Sequence, residues 1–217
     1  MGVYASVSSG IVHQPPPPPV EHGWGGEGPG SEGYGRGADR RTAFAALFIF
    51  LVSIGIIFAA FIAAFLARRS VSGDWLSVHK PHILFLNTAV LVASSVVLDI
   101  SRRALKARQR SRFNFWWTAA TGLGFLFLIG QLVAWMDLRD AGVFVATNPA
   151  NAFFYVLTFA HAVHLLGGLG ALVYVDVQAL RLRLGPAKRT AIDLSAIFWH
   201  FLDGVWIVLM VLFYVWG

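Results

Sequence analysis

The stretch that decides the fold is residues 43–67, which read AFAALFIFLVSIGIIFAAFIAAFLA. No charged side chain occurs in it, and a helix of this length, at about 1.5 Å per residue, exceeds the roughly 30 Å of a bilayer's hydrocarbon core. Arg40 and Arg41 precede the stretch, and Arg68 and Arg69 follow it. Because basic side chains gather at membrane surfaces, residues 43–67 are predicted to form a transmembrane helix.

Four more apolar segments follow at similar lengths, over residues 82–100, 116–136, 152–175 and 194–216. The whole chain is 57% hydrophobic and 13% charged, whereas soluble domains carry about a quarter charged residues, so a soluble monomer is excluded. The connections are short and contain Pro81, Pro149 and Pro186. The sequence therefore predicts an all-α membrane protein, with one compact five-helix transmembrane bundle over residues 39–217.

The first 38 residues have a different composition. They hold ten of the 22 glycines and six of the nine prolines, with Pro15 to Pro19 in one run. So few apolar side chains cannot offset the entropy of ordering, and residues 1–38 are predicted to be a disordered cytoplasmic arm. The arm lacks a basic start followed by an apolar run, so it is not interpreted as a signal peptide.

Lys and Arg are distributed unequally between the two ends of the predicted bundle. Four lie on one side: Arg68, Arg69, Lys80 and Arg139. Thirteen lie on the other: Arg36, Arg40, Arg41, Arg102, Arg103, Lys106, Arg108, Arg110, Arg112, Arg181, Arg183, Lys188 and Arg189. Because basic loops stay inside, the N-terminus is predicted to be cytoplasmic and the C-terminus to lie on the outer side of the membrane. The net charge of +6 is attributed to the basic residues that orient the helices in the membrane, and no nucleic-acid partner is expected.

Cysteine is absent, which excludes disulfides, iron–sulfur clusters and Cys-based copper or zinc sites. Redox or metal chemistry would have to use the seven histidines. Polar side chains inside a span need a protein partner, because each costs several kcal/mol in hydrocarbon. The main set is His161, His164, His200 and Asp203, arranged as one i, i+3 pair on the fourth helix and one on the fifth.

The two pairs are expected to overlap in depth, since Asp203 lies about 14 Å and His164 about 16–18 Å from the cytoplasmic ends of their helices. The preferred interpretation is a hydrogen-bonded structural contact between helices four and five, with no catalytic, cofactor or metal role. Three alternatives stay open: haem ligated by His200 and a histidine of helix four, a proton relay through Asp203, and zinc bound by all four residues.

A second polar set lies nearer the outer face, where Asn87 and Thr88 of helix two and Gln131 of helix three are expected to bond across helices. Asp99 and Asp176, at inner ends of spans, are expected among the arginines. Gly167, Gly168 and Gly170 form a face of helix four without side chains, which suits helix packing or, alternatively, a lipid groove.

Three motifs carry a family resemblance. They are residues 159–168, FAHAVHLLGG; residues 199–206, WHFLDGVW, with the ending YVWG; and residues 86–95, LNTAVLVASS. In their order along the chain they resemble subunit III of cytochrome c oxidase, over about residues 42–217, in its short five-helix bacterial form, which implies a multi-pass protein of the bacterial inner membrane with its C-terminus in the periplasm. The resemblance implies an accessory subunit without redox centres of its own, packed on catalytic subunit I beside subunit II, where haem and copper reside. It also implies binding of membrane phospholipids and support of proton uptake during oxygen reduction to water.

One departure concerns helix one. Members of this family often carry a Ser-Glu pair there, and this chain has Ser53-Ile54, so the family's carboxylate role does not extend to Ile54.

Related subunits of a quinol oxidase or a nitric oxide reductase share these motifs and remain an alternative. An autonomous haem-b membrane protein and a small transporter are further alternatives, the latter disfavoured because no inverted repeat is visible.

Overall fold

The computed structural model describes residues 31–71, 83–142, 149–181 and 186–216, without the side chains of 31–39 and 186–188. The helices are α1 (Ser31–Val71), α2 (Ile83–Lys106), α3 (Arg110–Asp140), α4 (Pro149–Leu180) and α5 (Pro186–Trp216). All five are long and apolar enough to cross a membrane. The prediction of an all-α protein with five transmembrane helices is therefore confirmed.

The helices are longer than the apolar segments that predicted them. α1 begins at Ser31 and so includes the last eight residues of the predicted arm, whose remainder, 1–30, lies outside the described residues. α5 begins eight residues before the predicted position 194. Hydropathy identifies only the part of a helix that crosses the hydrocarbon core. The helix itself can extend further into polar and charged residues, because adding residues to an existing helix needs no new nucleation.

Four of the helices form an antiparallel bundle. α2 packs on α3, α3 on α4, α4 on α5, and α5 returns to α2, while α1 packs on the outside of α4 and α5. On α3 the residues facing the bundle recur every three or four positions: Phe113, Trp117, Ala120, Gly124, Phe127, Gln131, Ala134 and Leu138. This spacing places one stripe of α3 in the core and leaves the other faces on the outside of the bundle.

The α2–α3 hairpin is held by three side chains of α2, spaced seven residues apart. Asn87 Nδ2 donates to the carbonyl of Phe127 (3.1 Å), Ser94 Oγ to that of Ala120 (2.9 Å), and Ser101 Oγ to that of Phe113 (3.0 Å). Such short side chains reach a neighbouring backbone only when the helices lie close together. We call these three bonds the α2–α3 polar ladder.

Candidate functional site

His161 of α4 lies in an aromatic enclosure. Its side chain is 1% exposed, and its ring centroid lies 5.1 Å from that of Trp206 on α5 and 6.3 Å from that of Phe127 on α3. Phe58 of α1 approaches edge-on at 6.4 Å. Within the described part of the chain neither ring nitrogen has a hydrogen-bond partner. The contacts of His161 with α5 are therefore made through ring packing.

His164, one turn further along α4, is bonded to its own helix. Its Nδ1 lies 2.7 Å from the carbonyl oxygen of Ala160, so this nitrogen carries the proton and donates it. The ring packs against Phe58 of α1, with centroids 5.6 Å apart. His164 is thus directed toward α1.

His200 of α5 belongs to a charged network at the basic end of the bundle. Its Nε2 lies 3.3 Å from Oδ1 of Asp99 on α2, and Arg102 contacts the same carboxylate oxygen at 3.4 Å. Arg102 continues to Asp193 of α5 at 3.2 Å, and Arg40 of α1 reaches Asp193 at 3.4 Å. We call this chain of contacts the inner network. It joins α1, α2 and α5.

Asp203 lies one turn beyond His200 and is 8% exposed. It faces α2, where Ser95 is its polar neighbour, and His200 lies near it on α5. Its Oδ1 has no hydrogen-bond partner among the described residues. The carboxyl group therefore belongs to the α2–α5 contact.

The register between α4 and α5 follows from two ring pairs, His161 with Trp206 and Phe154 with Phe213. It places His164 level with Asp203, whereas Trp206 lies six residues beyond His200, about 9 Å along the helix. The four predicted residues thus divide among contacts with α1, α2, α3 and α5. Within the described ranges no group of three or more His, Asp or Glu side chains could hold a metal ion, so the zinc alternative gains no geometric support.

The second polar set has partners other than those predicted. Asn87 bonds the α3 backbone within the polar ladder, and Thr88 accepts a hydrogen bond from Nε1 of Trp206 at 3.0 Å. Gln131 is buried, and its amide atoms have no partner in the described part of the chain. As expected, Asp99 contacts an arginine, while Asp176 accepts a hydrogen bond from Thr118 of α3 at 2.7 Å.

The three glycines of α4 do not share one environment. A Cβ on Gly168 would lie 3.1 Å from Leu202 of α5, so Gly168 sits at the α4–α5 contact. Gly167 and Gly170 are exposed, and a Cβ on either would meet nothing within 4 Å. Gly168 is therefore a packing position, and its two neighbours face outward.

Two apolar grooves open on the outside of the bundle. One, of about 600 Å³, lies between α3 and α4 and is lined by Leu132, Trp135, Met136, Arg139, Tyr155 and Phe159 among others. The other, of about 490 Å³, lies between α1 and α5, with Gly55, Phe58, Ile62, His200, Gly204 and Val208 along its walls. Both have the shape and apolar lining that suit an acyl chain, and each has a basic or imidazole side chain in its wall.

Ser94, Ser101 and Trp206 are the residues whose roles the sequence interpretation missed. Ser94 lies in a motif that was noticed, but its donor role was not. The available signal was the seven-residue spacing of Asn87, Ser94 and Ser101, which puts three short polar side chains on one helix face.

Comparison with known proteins identifies a family and relatives that match this chain. The family model for cytochrome c oxidase subunit III matches residues 38–217. Cytochrome c oxidase subunit 3 of Synechocystis sp. is 31% identical over 173 residues, covering 76% of this chain and 72% of the relative. The protein of the same name from Thermostichus vulcanus is 30% identical, covering 78% and 85%. A probable cytochrome c oxidase subunit 3 of Nocardia farcinica is 30% identical, covering 76% and 84%.

Proposed function

Because the chain belongs to the cytochrome c oxidase subunit III family, we propose that it is the noncatalytic subunit III of a bacterial aa3-type cytochrome c oxidase. It resides in the cell membrane, packs on catalytic subunit I and accompanies subunit II, and those two subunits hold the haem and copper. The complex reduces oxygen to water and moves protons across the membrane. The observation that carries this proposal is the family match, which spans all five transmembrane helices.

The environments of the intramembrane histidines support a role without redox chemistry. Rings of Trp206 and Phe127 occupy the space beside His161, His164 donates to its own backbone, and His200 is engaged by Asp99. A haem iron would need one freed histidine nitrogen on each of two helices at matching depth. Here the aromatic packing would have to open first, so an autonomous haem-b protein is the weaker alternative.

Lipid binding is part of the proposal, and the two grooves support it. Apolar walls suit acyl chains, and Arg139 at the α3–α4 groove supplies a cation for a phosphate headgroup. Support of proton uptake is likewise proposed, because the inner network holds carboxylates and an imidazole at the basic end of the bundle, which we propose faces the cytoplasm. Ile54, which replaces the family's carboxylate, is 2% exposed and packs in the apolar core, so it takes no part in proton transfer.

Purification through a tag on this chain tests the assembly. We expect the full complex to copurify, with the visible spectrum of haem a, bound copper, and oxygen consumption driven by reduced cytochrome c. Oxygen consumption that is driven only by quinol would show that the electron donor is quinol and not cytochrome c. A stoichiometric Soret band from the chain separated from all other subunits would overturn the noncatalytic role.

A substitution at Asp203 tests whether the α2–α5 contact supports the complex. Asp203→Leu removes a buried carboxyl group beside Ser95 and His200, so we expect less subunit III retained in the purified oxidase and faster inactivation during turnover. Asp203→Asn keeps the shape and a polar end of the side chain. Its subunit retention and its rate of inactivation should lie between those of Asp203→Leu and the wild type. Unchanged retention together with unchanged inactivation in Asp203→Leu would refute a supporting role for Asp203.

A further inference from the structure

The basic end of the bundle contains a recess between α2, α3 and α5, with Arg40 of α1 at one side. One part, of about 250 Å³, is lined by Leu105, Arg108, Arg110, Arg189 and Ile192. The adjoining part, of about 200 Å³, shares Leu105, Arg189 and Ile192 with it and adds Arg40, Arg102, Lys106 and Asp193. The shared residues make the two parts one feature, which we call the basic recess.

Charge in the basic recess is strongly unbalanced. Six cationic side chains line it, against the single carboxylate of Asp193. Asp193 already contacts both Arg40 and Arg102. The other four cations, Lys106, Arg108, Arg110 and Arg189, form no salt bridge with any carboxylate that the structure describes. Four such cations around a concave surface repel one another and attract an anion.

The backbone of Arg108, in the wall of the basic recess, is strained. Arg108 has a φ of 60°, the left-handed conformation that favours glycine. It ends α2 with two 3.0 Å hydrogen bonds, from Arg108 N to the carbonyl of Leu105 and from Gln109 N to that of Ala104. In this type of helix end glycine is the usual residue. An arginine held there gives up backbone stability and places a cation in the recess wall, and strain of this kind is concentrated at functional sites.

We propose that the basic recess binds a phosphate group. Arginine side chains bind phosphate oxygens through paired, charge-assisted hydrogen bonds, and Arg108, Arg110 and Arg189 line the same part of the recess. The part that these three arginines line, of about 250 Å³, has room for one phosphate with a short attached group. Leu105 and Ile192 provide an apolar surface for carbon atoms next to the phosphate. The source is a phospholipid headgroup or free phosphate.

This inference rests on the recess alone and holds whether or not the chain serves an oxidase. The variants are Arg108→Gly and Arg189→Gln, with Arg103→Gln as a control that removes one charge from the same end of α2 but outside the recess lining. Arg108→Gly relieves the left-handed backbone, so its thermal stability should equal or exceed that of the wild type. Weaker binding by this variant would therefore not be caused by misfolding.

Binding is measured on the full chain in detergent by native mass spectrometry. The probes are dioleoyl phosphatidylglycerol, dioleoylglycerol, which lacks the phosphate, and inorganic phosphate. We expect phosphatidylglycerol to bind about tenfold more weakly or worse in Arg108→Gly and Arg189→Gln, and within about twofold of wild type in Arg103→Gln. Inorganic phosphate that binds with the same dependence on the arginines would identify free phosphate as a sufficient ligand, and binding of the lipid alone would identify the headgroup.

Two results would overturn the proposal. In one, dioleoylglycerol binds as tightly as phosphatidylglycerol, so that the phosphate contributes nothing. In the other, the two recess variants bind both phosphate probes as the Arg103→Gln control does. High salt gives a further check, because binding through a phosphate should weaken as ionic strength rises.

Discussion

The α2–α3 and α4–α5 helix pairs are both antiparallel neighbours in the bundle, but different contacts hold them together. α2 and α3 are joined by the polar ladder, in which Asn87, Ser94 and Ser101 bond backbone carbonyls. Between α4 and α5 lie ring pairs such as His161 with Trp206, and the close approach at Gly168. The histidines and the aspartate that attract attention in the sequence are thus on the pair where aromatic packing predominates.

The difference shows that a polar residue inside a span need not form its hydrogen bond with the helix that adjoins its own helix in sequence. His200 and Asp203 of α5 face α2, and short, unremarkable serines hold the closest pair. Within a membrane, helix association depends on close packing and interhelical hydrogen bonds, and small side chains allow both.

The largest expected effect is at the aromatic contact. Trp206→Ala should destabilise the protein by about 3–5 kcal/mol, because it leaves a cavity beside His161 and Phe127 and removes the hydrogen bond to Thr88. The midpoint of thermal unfolding of the full chain in detergent measures it. Trp216→Ala, which truncates a 41% exposed ring at the end of α5, is the control. Equal losses from both variants would contradict the importance of the α4–α5 ring contact.

The next effect tests the close approach of α2 and α3. A Cβ on Gly130 would collide with the amide of Asn87, so Gly130→Ala should displace that side chain and leave a buried amide unsatisfied, at a cost of about 1–3 kcal/mol. Gly167→Ala, on the open side of α4, should be neutral or slightly stabilising, since alanine favours helix more than glycine. The same unfolding measurement compares the two variants. An unchanged unfolding midpoint in Gly130→Ala would show that the α2–α3 hairpin can accommodate a methyl group at this position.

The smallest effect tests a single bond of the ladder. Ser94→Ala removes the bond to the carbonyl of Ala120 and should cost about 0.6–1.7 kcal/mol. Ser53→Ala is the matched control, because Ser53 is exposed and bonds only the carbonyl of Ile49 in its own helix. Unfolding midpoints should separate the two variants. If Ser53→Ala is as harmful as Ser94→Ala, the interhelical bond adds nothing beyond local helix stability.

The fold was largely predictable from the sequence, and the partners of its polar residues were only partly so. Uninterrupted apolar stretches such as residues 43–67 locate the spans, because each is long enough to cross a bilayer. Depth along a helix was also predictable, since it follows from counting, and the register does place His164 level with Asp203. Which side of the bundle each side chain faces was not predictable, because depth says nothing about rotation or about the neighbouring helix.

By itself, therefore, the sequence determined that this is a five-helix membrane protein, and its motifs pointed to the family that the whole-domain match then established. Only the tertiary structure decided that His200 meets Asp99, that His161 is enclosed by rings, and that the basic residues around Arg189 line a recess. The physical reason is that membrane insertion depends on the summed apolarity of each segment, which is local in sequence. Side-chain partners depend on how helices approach one another, which small residues on distant segments decide together.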